Sequence, residues 1–306
     1  MENGFFTTPT PQNEAILDYA PGSAEREDLQ AELVRQTNMC LEIPLFIGGK
    51  EIRTENTGKS ICPHDHQHVL ANFSQATRQE IDLAINAALA AKPVWEAMSW
   101  DDRAAIFLKA ADLVSGKYRF VLNAATILNQ SKNIYQAEID SACELADFLR
   151  FNVSFVEKIY SDQPSHHASG TWNRIDYRPL EGFVFAVTPF NFTAIAGNLP
   201  TSAAMMGNVV VWKPASTSVL SSWYVMQILR EAGLPDGVIN FIPGPGREIG
   251  PVILENENLA GIHFTGSTKV FKQMWQSVAQ NIDCFRTYPR IVGETGGKDF
   301  IFVHSS

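Results

Sequence analysis

Gly182-Phe-Val-Phe-Ala-Val187, Asn208-Val-Val-Val-Trp212, Val238-Ile-Asn-Phe-Ile242 and Gly261-Ile-His-Phe264 are four short apolar runs in the second half of the chain. Unbroken apolar runs, rather than alternating ones, are the mark of strands buried on both faces. The segment between the first two, around Ala203 to Met206, is helix-compatible. Between the second and third, Leu220, Tyr224 and Ile228 form one helical row from Ser218 to Ala232, with Val225, Leu229 and Ala232 beside it. Gly233 and Pro235 close that helix. Strands separated by helices imply a parallel sheet joined by right-handed crossovers. The fold class is therefore α/β, a Rossmann-like parallel sheet with flanking helices, and such sheets bind ligands beyond the carboxyl ends of their strands.

Outward from this half, the preceding residues read as helical. Thr77-Arg-Gln-Glu80 has the capping-box pattern, and Ile81, Ala84, Ile85, Ala88 and Leu89 follow at helical spacing until Pro93, which is expected to stop the run. A second helix is predicted to start near Ser99 or Asp101 and end at Gly116. A third covers Tyr118 to Leu128, and a long one Ile134 to Ile159. Ser161 to Leu180 breaks the pattern: prolines, histidines and Gly170 lead into Thr171-Trp-Asn-Arg-Ile-Asp-Tyr177, which favours extended structure. The expected organisation is an arm over 1–43 with one short helix from Ser23 to Val34, a helical half over 44–160, a protruding β-hairpin over 161–181 and a nucleotide-binding half over 182–306.

Composition narrows the function classes. The 306 residues carry 24 Lys and Arg against 33 Asp and Glu, a net charge of −9. That is the wrong sign for a polyanion binder. Apolar residues make up 45% and charged ones 19%, enough to build a core, and no run reaches the length of about 18 apolar residues that a membrane span needs. The first 20 residues hold three acids, no Lys or Arg and no apolar block. With no targeting segment seen and four scattered cysteines (Cys40, Cys62, Cys143, Cys284), a reducing, cytoplasmic location is expected.

Several residues are candidates for chemistry. Gly244-Pro-Gly246-Arg-Glu-Ile-Gly250 follows a strand and opens a helix, so it reads either as a nucleotide site or as a plain strand-to-helix turn. His64, His66 and His68 would share one face of a strand and either chelate zinc or stand solvated; no dedicated ligand set accompanies them, and no metal is expected. Glu144 sits among Leu145, Phe148 and Leu149, at a pocket or on an exposed helix edge. Asn191, between two aromatics in Thr188-Pro-Phe-Asn-Phe192, either donates to a developing oxyanion or tightens a turn. Glu294 in Gly293-Glu-Thr-Gly-Gly-Lys298 is a general base if desolvated, or a solvent-facing acid.

The order Pro189-Phe190-Asn191, Trp212-Lys213-Pro214, Phe264-Thr-Gly-Ser267 and Glu294-x-Gly-Gly-Lys298 resembles the NAD(P)-dependent aldehyde dehydrogenase superfamily. Gln136-Ala-Glu-Ile-Asp140, Asp147-Phe-Leu-Arg-Phe-Asn152, Phe190-Asn-Phe-Thr-Ala-Ile195 and Tyr288-Pro-Arg290 resemble its branch acting on L-glutamate γ-semialdehyde in proline breakdown, as do Gly22-Ser23 and Glu25-Arg26. The resemblance implies that a cysteine thiolate attacks the aldehyde, that hydride passes to NAD, and that water hydrolyses the thioester. It implies catalytic roles for Asn191, as oxyanion donor, and Glu294, as general base. For the cofactor it implies Lys213 on the adenine ribose, Thr188 on the other side, and Gly266, Ser267, Thr268, Lys269 and Val270 as a helix start beneath the pyrophosphate. Gly246 and Gly250 join that set, and Phe192 and Glu144 would flank the aldehyde substrate.

Two departures from the pattern stand out. Ser216 occupies the place where many NAD-preferring relatives carry a ribose-binding glutamate, which opens the site to a 2′-phosphate. The family's nucleophile follows the Glu-x-Gly-Gly-Lys motif in a Gly-Gln-x-Cys segment, and no such segment occurs in these 306 residues. The chain is therefore expected to be the amino-terminal part of the enzyme, inactive alone and homo-oligomeric when full length. An aldehyde dehydrogenase of another substrate class, or a non-catalytic nucleotide-binding module, are the alternatives.

Overall fold

The computed structural model describes residues 7–296 and 301–305, so Gly297 and Lys298 of the last motif lie outside the described residues. In chain order the elements are α1 (Ala24–Thr37), β1 (Leu41–Ile43), β2 (Leu45–Ile47), β3 (Lys50–Ile52), β4 (Thr57–Cys62), β5 (Asp65–Ser74), α2 (Arg78–Ala97), α3 (Trp100–Ser115), α4 (Arg119–Gln130) and α5 (Ile134–Ala137). A π-helical segment (Glu138–Glu144) follows, then α6 (Leu145–Ser161), β6 (Phe183–Val187), α7 (Thr193–Met205), β7 (Val209–Lys213), α8 (Val219–Ala232), β8 (Ile239–Phe241), α9 (Gly246–Leu254), β9 (Leu259–Gly266), α10 (Thr268–Gln280) and β10 (Arg290–Thr295).

Among the described residues the main sheet has the order β10-β9-β6-β7-β8-β2-β3. The pairs from β10 to β8 are parallel, whereas β2 runs antiparallel to β8 and to β3. The α/β class is thus as expected, with β6 and β7 at the centre. Val209, Val210, Val211 and Trp212 are all fully buried. Trp212 packs edge-on against Phe241 at 5.0 Å, tying the central strand to its neighbour. Gly182 enters β6 at φ +140°, where a Cβ would stand 2.0 Å from the Asn258 carbonyl oxygen, so only glycine fits. A smaller sheet, β1-β5-β4, lies apart from the main one.

Helix signals hold at the starts. Glu80 accepts from the Thr77 amide at 2.9 Å, and Ser99 accepts from the Asp102 amide at 3.3 Å. Four expectations are corrected. The half expected to be helical over 44–160 opens with four strands, β2 to β5, before α2 begins. Pro93 does not stop α2, which runs on to Ala97. Trp95 holds that last turn, since its ring is buried and its indole N–H donates to the Ala204 carbonyl at 2.9 Å. The long helix is interrupted by the π segment, where each residue's carbonyl is bridged one residue further along. The β-hairpin expected over 161–181 does not form strands. There the Gln163 side-chain amide grips the Ile175 backbone, accepting from its N–H at 2.9 Å and donating to its C=O at 3.1 Å. Trp172 is 85% exposed, so the β-favouring residues have no surface to pack on.

Candidate active site

At the carboxyl ends of β6, β7 and β9 a cavity of about 640 Å³ opens between the starts of α9 and α10. Thr188, Lys213, Gly246, Gly250, Gly266, Ser267 and Val270 line it. Of the expected cofactor set, Ser216, Thr268 and Lys269 do not. Ser216 turns its hydroxyl to the Gly244 carbonyl at 3.3 Å. Thr268 and Lys269 form the first turn of α10, whose amides have no carbonyl four residues back to bond. The Ser267 hydroxyl caps that turn by accepting from the Val270 amide at 3.3 Å.

Local packing places each wall. The Trp212 indole N–H donates to the Thr188 hydroxyl at 3.1 Å, and the Thr188 amide donates to the Lys213 carbonyl at 3.3 Å, which locks the two strand ends together. Lys213 is buried, and its ammonium donates to the Pro214 carbonyl at 2.8 Å with no carboxylate partner among the described residues. Burial pushes its pKa down to about 8. An ammonium so held has donors to spare for hydroxyl or phosphate oxygens. A Cβ on Gly250 would meet nothing within 4 Å, and one on Gly246 only the Lys213 side chain at 3.6 Å. Phe190, Leu254, Met274 and Gln273 also form the wall, and the sequence reading missed them. The one available signal was spacing: Val270, Gln273, Met274 and Ser277 recur on one face of α10.

Asn191, Phe192, Glu144 and Glu294 do not line the cavity. Asn191 is exposed and its carboxamide bonds to nothing among the described residues. Glu294, also exposed, accepts from the Thr265 hydroxyl at 3.3 Å, and Thr265 lines the cavity. The Glu144 carboxyl is raised above its ordinary value by burial first, then by the charges of Asp140, Asp147 and Glu294. Phe192 lies beneath the Lys132 ammonium, 4.1 Å from the ring centroid.

The three histidines do not share a strand. His64 falls in the turn before β5, 3.2 Å from the Cys62 sulfur and 2.8 Å from the Ser131 hydroxyl. None of the four cysteines lines the cavity. Cys143 is a poor nucleophile, because burial and the Glu138 carboxylate push its pKa up to about 12.

A parallel sheet with a cavity at the carboxyl ends of its strands, lined by Phe190 beside Asn191 and by Thr265, which bonds Glu294, defines a class. The chain belongs to the aldehyde dehydrogenase family, whose model matches residues 51–306. It is 55% identical over 302 residues to the Delta-1-pyrroline-5-carboxylate dehydrogenase of Agaricus bisporus, covering 98% of this chain and 55% of that protein. The corresponding Dictyostelium discoideum enzyme, named as mitochondrial, is 50% identical, with 97% of this chain and 54% of that one covered. The crystal structure of the Mycobacterium tuberculosis Delta-pyrroline-5-carboxylate dehydrogenase bound with NAD superposes with a TM-score of 0.95 at 49% identity, covering 97% of this chain and 56% of that one. The chain spans about half the length of the relatives it matches. No helix among the described residues is long and apolar enough to cross a membrane.

Proposed function

We propose that this chain supplies the nucleotide site, the oxyanion donor and the general base of an enzyme that oxidises L-glutamate γ-semialdehyde to L-glutamate with NAD. The buried Lys213 ammonium at the cavity wall, with one carbonyl acceptor and no counter-charge, carries the reading. It calls for a ligand rich in oxygen acceptors, which the ribose of a dinucleotide meets. Lys213 would hold that ribose, with Thr188 opposite. Gly246 and Gly250 leave the space, and the helix start from Gly266 to Val270 would lie beneath the pyrophosphate with the Thr268 and Lys269 amides free, that of Val270 being held by Ser267. Bound there, NAD would accept the hydride. Ser216, small and neutral, leaves room for NADP as well.

At the other end the Asn191 carboxamide donates to the oxyanion formed when a thiolate attacks the aldehyde. Glu294 takes a proton from the hydrolytic water. Phe192 and Glu144 flank the aldehyde chain. In this reading the thiol comes from a segment absent from these residues. A nucleotide-binding module without turnover is the second reading.

Titration calorimetry on the purified 306-residue protein is expected to show one-site binding of NAD. Aldehyde oxidation, read from the absorbance of reduced cofactor, is expected to be undetectable. Robust turnover by this chain would overturn the missing-thiol assignment, and failure to bind either nucleotide would overturn the site. With the full-length protein, preference for a simple aliphatic aldehyde over the semialdehyde would overturn the substrate. Homo-oligomerisation and a cytoplasmic location belong to the same proposal. The exposed Trp172 supports the first, and the mitochondrial name of the Dictyostelium relative makes the organelle the competing outcome for the second.

A further inference from the structure

The turn that carries Asn191 leads into α7, and α7 has no cap of its own. Its N-cap residue is Phe192, whose side chain accepts no hydrogen bond. An uncapped helix start inside a protein leaves orphan amides that need an acceptor from elsewhere. Here the acceptor comes from 53 residues earlier in the chain: Asp140, buried in the π segment, accepts from the Thr193 amide at 3.0 Å and from the Ala194 amide at 2.9 Å. Lys132 donates to the same carboxylate at 2.8 Å while its ammonium stands over the Phe192 ring. One carboxylate and one ammonium thus grip the residues on the far side of Asn191, through two backbone amides and one aromatic face. The Thr193 hydroxyl, 2.8 Å from that of Thr126 and accepting from the Gln130 amide at 2.8 Å, holds the same helix start from its side chain, and the Asn191 carboxamide itself makes no hydrogen bond among the described residues.

We propose that Asp140, assisted by Lys132, is the positioning residue that fixes the Asn191 turn in place for the oxyanion. The proposal rests on the reading of Asn191 as oxyanion donor. Glu138, two residues earlier, is bonded to the arm through Leu17 and Tyr19, on nearly the opposite side, as helical spacing places residues two apart.

The test uses Asp140→Ala, Asp140→Asn, Asp140→Glu and Lys132→Met, with two readouts. In the 306-residue chain, amide hydrogen exchange at Thr193 and Ala194 is expected to quicken at least tenfold in Asp140→Ala. It should quicken less in Asp140→Asn, whose side-chain oxygen still accepts, while β6 amides and NAD affinity stay within twofold of wild type. In the full-length protein, kcat for the aldehyde is expected to fall about thirtyfold in Asp140→Ala with the KM for NAD unchanged. Asp140→Glu should recover part of it, and Lys132→Met should lose a smaller factor. Unchanged exchange at Thr193 and Ala194, or a parallel loss of NAD affinity, overturns the proposal. So does a kcat indifferent to all four changes. Should Asp140→Ala fail to fold, Asp140→Asn decides on the same two readouts. If the wild-type full-length protein oxidises no aldehyde, the proposed function fails, and the exchange result still decides whether Asp140 holds the turn.

Discussion

The end of this molecule proposed to hold the nucleotide and the end proposed to meet the aldehyde are built in opposite ways. The cavity is walled by strand ends and helix starts whose side chains are already committed: Thr188 to Trp212, Ser267 to the first turn of α10, Lys213 to Pro214. At the proposed aldehyde end the Asn191 carboxamide makes no hydrogen bond among the described residues and Glu294 accepts one, from Thr265. Asn191 and Glu294 are exposed, and β10 stands at the sheet edge with Val292 60% exposed. What is rigid there lies one layer back, in the buried acids of the π segment. On the proposed function, binding depends on packed walls and chemistry on exposed groups held from behind. The two ends should respond independently to damage.

The largest expected effect comes from Arg119→Met. Arg119 is almost fully buried against Glu138, which also accepts from the Tyr19 hydroxyl at 2.6 Å, the Asn123 amide at 2.7 Å and the Leu17 amide at 2.9 Å. Burial alone would raise the Glu138 pKa, but these donors, Arg119 first, hold it below the ordinary value. Removing the guanidinium strands a buried charge, which typically costs about 3–5 kcal/mol. Chemical denaturation should show that loss while the folded fraction binds NAD as wild type does. A matching fall in NAD affinity would break the comparison. In the wild type the contribution of Glu138 is complete above the unfolded value of 4.5 and is lost as pH falls through the lower folded value, so the arm should loosen first in acid.

Next comes Gly250→Trp, which tests the other end. Gly250 faces open cavity, and glycine is a weak helix former, so the indole can enter without backbone strain. NAD affinity is expected to fall about a hundredfold, with the thermal midpoint unchanged or raised. In the full-length protein the exchange of the Thr193 amide should stay as it is. Wild-type affinity in this variant would place the nucleotide elsewhere.

These contrasts also explain which features could be read from sequence. β6 was legible to the residue because Phe183 to Val187 form an apolar run that a half-exposed strand would not carry. Lys213 and the glycines were found through motif order, which marks the packed end, where residue type is dictated by contact. The π segment was not legible: Glu138–Glu144 reads as ordinary helix, and its widening answers to the arm and to α7, both distant in sequence. Pro93 misled because the burial of Trp95 outweighs one lost helix bond. The stretch from Thr171 to Tyr177 misled because strand propensity is realised only against a surface, and none covers it. Residues 45–52 hold two strands of three residues each, too short for any periodicity to register.

The smallest expected effect is the sharpest in sign. With a folded pKa of about 8 against about 10.4 unfolded, Lys213 binds fewer protons in the folded protein than in the unfolded one between those values. Stability without nucleotide should therefore rise as pH goes from 8 towards 10. Nucleotide affinity should move the other way. The charged ammonium is the better donor to oxygen, a charge-assisted bond being worth about 1.5–3 kcal/mol. Its loss should weaken NAD binding about tenfold between pH 7 and pH 9.5, with the decline beginning near 8. Two opposed slopes from one residue are the signature of Lys213. Lys213→Met is expected to flatten both, with calorimetry reading the affinity and denaturant titration the stability. If the affinity slope persists in that variant, another cation faces the dinucleotide and the packed wall is not what binds it.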